Sequence, residues 1–397
     1  MDYSDRIAAE QRLFNENTRV HDLPAIYYYW SDKWVLPKLR AFRIEGAPEM
    51  FEECLTGHCQ RPGTHQRRFV SIGAGNCELE VDLAQRLRKK GYANFLIECL
   101  ELNPAMLARG RAMAEQAGVD ANLAFVEADV NQWRAERAYD AALASQSLHH
   151  VQNLEGLFEQ VRCALRPGGQ FVVSDMIGRN GHMRWPEALP IVEQFWEELP
   201  PSYRYNQALK RQEEFFDNWD CSSAGFEGIR AQDILPLLLR SFHFELFIAF
   251  GNVIVPFVDR AFGHNFNAAG QWDREFIDHV HRRDEQEMLA GRIKPTIMMA
   301  ILGTDPTVPT QYLAPFSPDF CVRWPEGDRR EIAASNPWIE NREWKRRMEE
   351  IDVRSQQEIS QLSVRLETAQ WQIEQAAKSR WVRLGRRLGL GPKLRVP

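Results

Sequence analysis

Between residues 68 and 176, short apolar runs alternate with segments of helical spacing, and that alternation leaves few folds open. Arg68–Ile72 reads as a strand and Glu78–Lys90 as a helix. Asn94–Leu102 and Pro104–Ala117 repeat the pair. Leu123–Glu127 and Tyr139–Ser145 are two more strands, Leu154–Leu165 a helix, and Gln170–Asp175 a fifth strand. Strands separated by helices of this length form βαβ units and therefore a parallel sheet. Right-handed crossovers then make it a doubly wound α/β sheet. Phe242–Phe250 and Pro295–Leu302 read as two further strands, separated by about 45 residues, too many for a simple hairpin.

Ligands of open α/β sheets bind beyond the carboxyl ends of the strands, and four such ends carry chemistry here. The first is Ser71-Ile72-Gly73-Ala74-Gly75-Asn76-Cys77-Glu78. Its glycines allow a sharp turn and the close approach of a ligand, although strand-ending glycines are often turns and nothing more. A dinucleotide fingerprint would place a third glycine at 78, where the chain has Glu78, and a carboxylate there disfavours a pyrophosphate. The expected ligand therefore has a ribose and a polar end but no phosphate. The second is Glu101, able to accept hydrogen bonds from both ribose hydroxyls. In Glu127-Ala128-Asp129-Val130, Asp129 can reach an adenine edge while Val130 packs on the ring. Ser145-Gln146-Ser147-Leu148-His149-His150 ends the fourth strand. Each has a bland reading: a solvated acid, a turn former, packed or capping histidines. Order and spacing together favour a ligand site.

With these motifs the chain resembles the class I S-adenosylmethionine-dependent methyltransferases, over about 67–177 and more loosely to 304. Gly73-Ala74-Gly75 is similar to that family's first motif. Tyr139-Asp140-Ala141 through Val151 is similar to the fourth-strand segment, and Leu165-Arg166-Pro167-Gly168-Gly169-Gln170-Phe171 to the turn into the fifth strand. The resemblance implies a Rossmann-like, seven-stranded sheet whose last strand runs antiparallel, with S-adenosyl-L-methionine as cofactor. It assigns Gly73, Ala74 and Gly75, Glu101 with the adjacent Leu102, and Asp129 with Val130 to the cofactor, and puts Gln146 and His150 on its far side. Two positions depart from the family pattern. Ser71 stands where Asp or Glu is usual, which puts contacts to the amino-acid end of the cofactor in doubt, and Cys77 stands where a third glycine is frequent.

The implied reaction is an in-line displacement at the sulfonium methyl, in which the protein aligns and desolvates. The acceptor is expected to be a small molecule or a saccharide, methylated on oxygen or nitrogen. A hydroxyl acceptor would benefit from a base, and histidine suits neutral pH. His182, just past the fifth strand, and His264, in the segment between the last two strands, are the candidates, against a structural role for either. Arg230 and Arg260 suit an anionic acceptor or ordinary ion pairs. Two rival readings are a nicotinamide-dependent oxidoreductase, disfavoured by Glu78, and a non-catalytic cofactor-binding scaffold.

The flanks complete the organisation. Residues 1–66 form a helical cap with aromatics at Tyr27–Trp30, and 67–304 the methyltransferase domain. Within that domain, 67–177 is the cofactor half, and 178–240 (three helices expected) and 251–294 are acceptor-side insertions, whose aromatics could line a pocket or pack as caps. Residues 305–343 form a Pro-rich linker and 344–397 a coiled-coil helix with a basic amphipathic tail. Ile359, Leu362, Leu366, Ala369, Ile373 and Ala376 trace a heptad seam, so 346–377 offers self-association or docking on a partner. The last 20 residues carry seven Lys or Arg and no acid, which suits an anionic membrane surface or packing on the coiled coil; their faint likeness to endings of bacterial glycan-assembly enzymes points to a saccharide.

A net charge of −6 gives no reason to expect nucleic acid. The seven cysteines are odd in number and scattered, as in a reduced cytoplasmic protein. The first residues lack a basic stretch followed by an apolar one, and no apolar run is long enough to span a membrane. Cys54, His58, Cys59 and His65 lack the paired spacing of a zinc knuckle, and Met50–Leu55 reads as a helix end stopped by Gly57, so no metal is expected.

Overall fold

The computed structural model describes residues 3–16, 22–63, 65–223 and 225–323. The expected coiled coil and basic tail lie outside these residues, as does the linker beyond 323.

The cofactor half folds as the alternation requires. Strands β1 (Arg67–Ile72), β2 (Phe95–Glu101), β3 (Leu123–Glu127), β4 (Tyr139–Ser145) and β5 (Leu165–Met176) run parallel in the order β3-β2-β1-β4-β5. Ser71 stands beside Cys99 on one side and Leu143 on the other, so the strand tips end in one row. β1 and β4 are buried almost throughout, as expected of strands covered on both faces, whereas β3, at the edge, exposes its last two residues. Helices α4 (Ala47–Gln60), α5 (Glu78–Lys89) and α6 (Pro104–Ala117) pack side by side, and α7 (Leu154–Ala164) packs with α9 (Ala231–Ser241). The chain leaves β1 toward β2 on one side and reaches β4 on the other. That reversal opens a crevice at the β1/β4 tips.

Three strands extend the sheet. β7 (Ile297–Gly303) lies antiparallel to β5, and β6 (His243–Phe250) antiparallel to β7. The antiparallel strand is as the resemblance implied. The count of seven is not: Gln311–Tyr312 adds a short β8 parallel to β6, giving eight strands in the order β8-β6-β7-β5-β4-β1-β2-β3. The compact unit therefore runs to Arg323, past the boundary expected at 304, because this segment pairs with the sheet edge and buries Phe316 and Cys321.

Two local expectations need correction. α4 passes through Gly57 to Gln60, since its face of Met50, Phe51, Cys54, Leu55 and His58 is buried, and that burial outweighs the cost of about 1 kcal/mol for a helical glycine. The 178–240 region holds two helices, α8 (Leu189–Glu198) and α9, and not three. Between them Pro200, Pro201 and a run rich in Asp, Asn, Ser and Gly give short turns and a two-residue hairpin, Tyr205–Asn206 with Arg211–Gln212.

The 251–294 segment builds α10 (Val255–Val258) and α11 (Gln271–Leu289), and α11 is anchored to the N-terminal aromatics. Those lie in a helical run of α2 (Ala25–Trp30), a π-helical turn (Ser31–Val35) and α3 (Leu36–Arg40). Trp30 Nε1 donates to His281 Nδ1 at 3.2 Å, and Tyr29, Lys33 and Trp34 converge on Asp278. Buried Asp284 accepts from the backbone N–H groups of Asn252 and Val253 at 2.9 Å, tying α11 to the turn after β6; burial raises its pKa to about 6 against those bonds. Phe195, Phe257 and Phe276 meet edge to face. Trp30 also meets Phe250 of β6, which packs the cap onto the sheet.

Candidate functional site

The glycine loop owes its shape to three left-handed residues: Gly73 (φ 65°), Gly75 (φ 57°) and Cys77 (φ 58°). At Gly73 a Cβ would come within 2.7 Å of Ser147 Cβ, so the fourth-strand loop closes over the first only because 73 is glycine. Ala74 N–H donates to Leu100 O, stitching the loop to β2. Glu101 at the tip of β2 is held by the backbone on both oxygens: Gly75 N–H donates to Oε2 and Asn103 N–H to Oε1, each at 2.9 Å. Burial raises its pKa, and the backbone donors oppose the rise.

The crevice is partly open and spans about 1110 Å³ including the solvent space at its mouth. Gly73, Ala74, Gly75, Glu101 and Leu102 wall one end; Asp129, Val130, Gln146 and His150 wall the rest. All nine residues that the sequence assigned to a cofactor thus line a single cavity. Asp129 is already engaged: Tyr3 Oη donates to its Oδ2 at 2.7 Å, Gln132 Nε2 at 2.8 Å, and Asn131 N–H to Oδ1 at 3.0 Å. Burial and this carboxylate raise the pKa of Tyr3. Gln146 sits at φ 53° with its N–H on Ser174 O.

Several lining residues were not foreseen. Helix α1 (Tyr3–Glu16) brings Glu10, Gln11 and Phe14 to the cavity. Asn103 Nδ2 donates to Gln11 O at 3.4 Å, Arg109 to Phe14 O at 3.1 Å, and Arg6 to Ser222 O at 2.8 Å, so α1 bridges the two sides of the crevice. Nothing local in α1 announces this, because its partners lie about 90 to 220 residues away. Glu80 had a visible signal. It falls in register with Ala84 and Leu87 on the apolar stripe of α5. Only 2% exposed, it accepts Ser71 Oγ–H at 2.5 Å and leaves Oε2 without a partner at the cavity wall. Burial pushes its pKa up to about 7.

Beside the cavity stands a histidine cluster. Buried Asp175, at the end of β5, accepts from Ser147, Leu148 and Met176 N–H and from His149 Nδ1 at 2.6 Å. His182 Nε2 lies 2.6 Å from Glu227 Oε1, His149 Nε2 3.4 Å from the same oxygen, and His150 Nε2 3.4 Å from Oε2. Burial disfavours charge on His149, but Asp175 and Glu227 prevail and raise it to about 10. Burial lowers His182, whereas the histidines hold Glu227 well below the usual carboxylate range despite its burial.

Of the two expected bases, His182 therefore stands one carboxylate away from cavity-lining His150. His264 does not approach: it is exposed on the turn Gly263–Asn265, packed near Pro24. Arg230 pairs with Glu155 and Asp233. In the N-terminal Cys/His group, Cys54 donates to Gln170 and His65 meets Arg67 and Asp140.

The cleft lies at the tips of a doubly wound sheet, where open α/β proteins bind their ligands, with an acid gripped by the glycine loop. Residues 69–169 match a family model described as a methyltransferase domain. The chain is 24% identical over 129 residues to the ubiquinone/menaquinone biosynthesis C-methyltransferase UbiE of Rhizobium meliloti (strain 1021), covering 32% of this chain and 48% of that protein. It is 23% identical over 116 residues to the malonyl-[acyl-carrier protein] O-methyltransferase 2 of Ilyobacter polytropus, covering 29% and 40%. The chain spans about half the length, or less, of these relatives. Among solved structures, a putative sarcosine dimethylglycine methyltransferase from Galdieria sulphuraria aligns at 15% identity and TM-score 0.38, over 65% of this chain and 84% of its own. Residues 69–169 are a methyltransferase domain of the class I, S-adenosylmethionine-dependent kind.

Proposed function

We propose that the chain transfers the methyl group of S-adenosyl-L-methionine to a small-molecule or saccharide acceptor. The observation that carries this reading is the pairing of Gly75 and Asn103 N–H with the two oxygens of Glu101, which fixes that carboxylate at the cavity wall. Glu101 takes the ribose hydroxyls, Val130 and Leu102 flank the adenine, and the glycine loop passes beneath the sulfonium end. Glu80 supplies the acid expected at position 71. Ser71 orients it, and its unpartnered Oε2 suits the donor's ammonium. The acceptor enters from the side of His150 and Glu227. As the nucleophile approaches in line, its bond to the methyl carbon forms while the sulfur–methyl bond breaks, and the sulfonium becomes a neutral thioether. The protein's contribution is alignment in a cavity closed by α1.

Calorimetric titration of the whole protein with S-adenosylmethionine and S-adenosylhomocysteine tests the reading. We expect one site per chain with micromolar affinity. Incubation of extracts with a deuterated methyl donor should yield a product heavier by three deuterons; absence of binding heat at millimolar ligand rejects the proposal.

A further inference from the structure

We infer that His149, His182 and Glu227 form a site for one divalent cation of the zinc type, next to the donor cleft, where the cation takes an oxygen of the acceptor. The inference rests on the methyl-transfer reading for its chemistry but not for the site itself. No metal was expected from the sequence, where the only spacing weighed was that around Cys54.

Among the described residues, one donor atom from each of these three side chains lies within 4.8 Å of the other two. The geometry is close to a coordination shell. For bonds of about 2.0–2.1 Å, tetrahedral ligand atoms are about 3.4 Å apart. His149 Nε2 and Glu227 Oε1 are already 3.4 Å apart, whereas His182 Nε2, 2.6 Å from that oxygen, makes a contact that a cation would replace.

The outer contacts resemble those of metal-binding histidines. His149 commits Nδ1 to Asp175 Oδ1 at 2.6 Å, and Asp175 is itself fixed by three backbone N–H groups. A carboxylate on one imidazole nitrogen sets the ring's orientation, and Nε2 binds metal once the cation displaces the proton it shares with Glu227, which goes to solvent. His182 is presented at φ 56°, directly after Gly181 at φ 63°. Left-handed backbone at a non-glycine residue costs of order 1 kcal/mol or more and persists where the surroundings require it.

The donor set selects the ion. Two imidazoles and one carboxylate suit zinc and its first-row neighbours, while magnesium and calcium prefer oxygen ligands. Three protein ligands leave a coordination position open, as in catalytic and not structural zinc sites. The cluster borders the donor cleft: Glu227 Oε2 is 3.4 Å from His150 Nε2, and His150 lines the cleft. A hydroxyl or enol bound there loses its proton to solvent more readily, and the resulting oxyanion attacks the methyl group. The acceptor class is therefore an oxygen nucleophile able to ligate a cation.

Tag-free full-length protein, stripped with a chelator, should take up one cobalt(II) per chain and develop the visible absorption of a low-coordinate site. Zinc should displace it. His182→Ala and Glu227→Gln should each weaken uptake at least tenfold, with circular dichroism confirming that both variants fold. Failure of the wild type to bind stoichiometric cobalt or zinc, or uptake unchanged in both folded variants, overturns the inference. Calorimetry with S-adenosylhomocysteine on the same stripped protein separates the two readings. Nucleoside binding without cation binding removes only the metal site; cation binding at these histidines without nucleoside binding leaves the site and removes its proposed chemistry.

Discussion

Two regions of the molecule, the cofactor half and the segment after it, are built on different principles. At the donor end, residues 67–177 place their functional groups through backbone: left-handed glycines, N–H groups that grip Glu101, and strand tips aligned by the register of a parallel sheet. Residues 178–303, which the proposed function gives to the acceptor, rely instead on side chains reaching across long stretches of sequence. Glu227 meets His149, Arg184 donates to Asn252 O, and Asp284 ties α11 to the turn after β6. A backbone-built site tolerates little change at few positions. A site built from side chains spreads its tolerance unevenly, and can hold a residue such as His264 that takes no part.

The comparison is most exposed at Gly73. Gly73→Ala must place a Cβ 2.7 Å from Ser147 Cβ at φ 65°, combining left-handed strain of about 1–2 kcal/mol with overpacking of about 1–3 kcal/mol. Thermal and denaturant unfolding should register a loss of about 3 kcal/mol, and a loss under 1 kcal/mol would mean that the loop is not held by its backbone.

Glu80 sharpens the contrast, being a side-chain device within the backbone-built end. Its pKa is raised by burial to about 7 in the folded protein, against about 4.5 unfolded. The folded state therefore holds the proton more tightly, and the stability that Glu80 contributes is fully present below about pH 4.5 and is lost as pH rises through 7. Glu80→Gln abolishes that dependence, so denaturation midpoints of the two proteins should diverge by up to about 3 kcal/mol over this window, with the variant more stable at pH 8. Donor affinity should behave in the opposite sense. In the wild type it should weaken by up to tenfold per unit below pH 7, as the carboxylate needed for the ammonium protonates, and in the variant it should be nearly flat.

Tyr3→Phe removes one hydrogen bond between α1 and Asp129. A cost of about 1 kcal/mol, seen as roughly a fivefold rise in the Kd for S-adenosylhomocysteine, is expected if α1 closes the donor cavity. The smallest effect belongs to His264→Ala. With the side chain exposed on its turn, stability and methyl transfer should both change by under about 0.5 kcal/mol, and a large loss of turnover would return this histidine to the acceptor site.

Legibility followed the same division. β1 to β4 and the helices between them were readable to within a residue or two, because hydrophobic period, glycines and turn residues act over a few positions. That Gly73, Gly75, Glu101 and Asp129 would share one cavity was readable because strand tips converge in any doubly wound sheet. The two helices and hairpin of 178–240 were read as three helices, since prolines and polar clusters say where helices stop but not what replaces them. The strand at Gln311–Tyr312 is too short to show a period at all.

By itself, then, the order of residues determined the sheet's parallel core, the crevice at its switch point and a ligand without phosphate, since each follows from interactions between near neighbours along the chain. Tertiary structure alone decided that α1 lines the crevice, that buried Glu80 meets Ser71 at its wall, and that His149, His182 and Glu227 meet. Most of those contacts join segments tens to hundreds of residues apart. Their free energy depends on distances that no local pattern encodes.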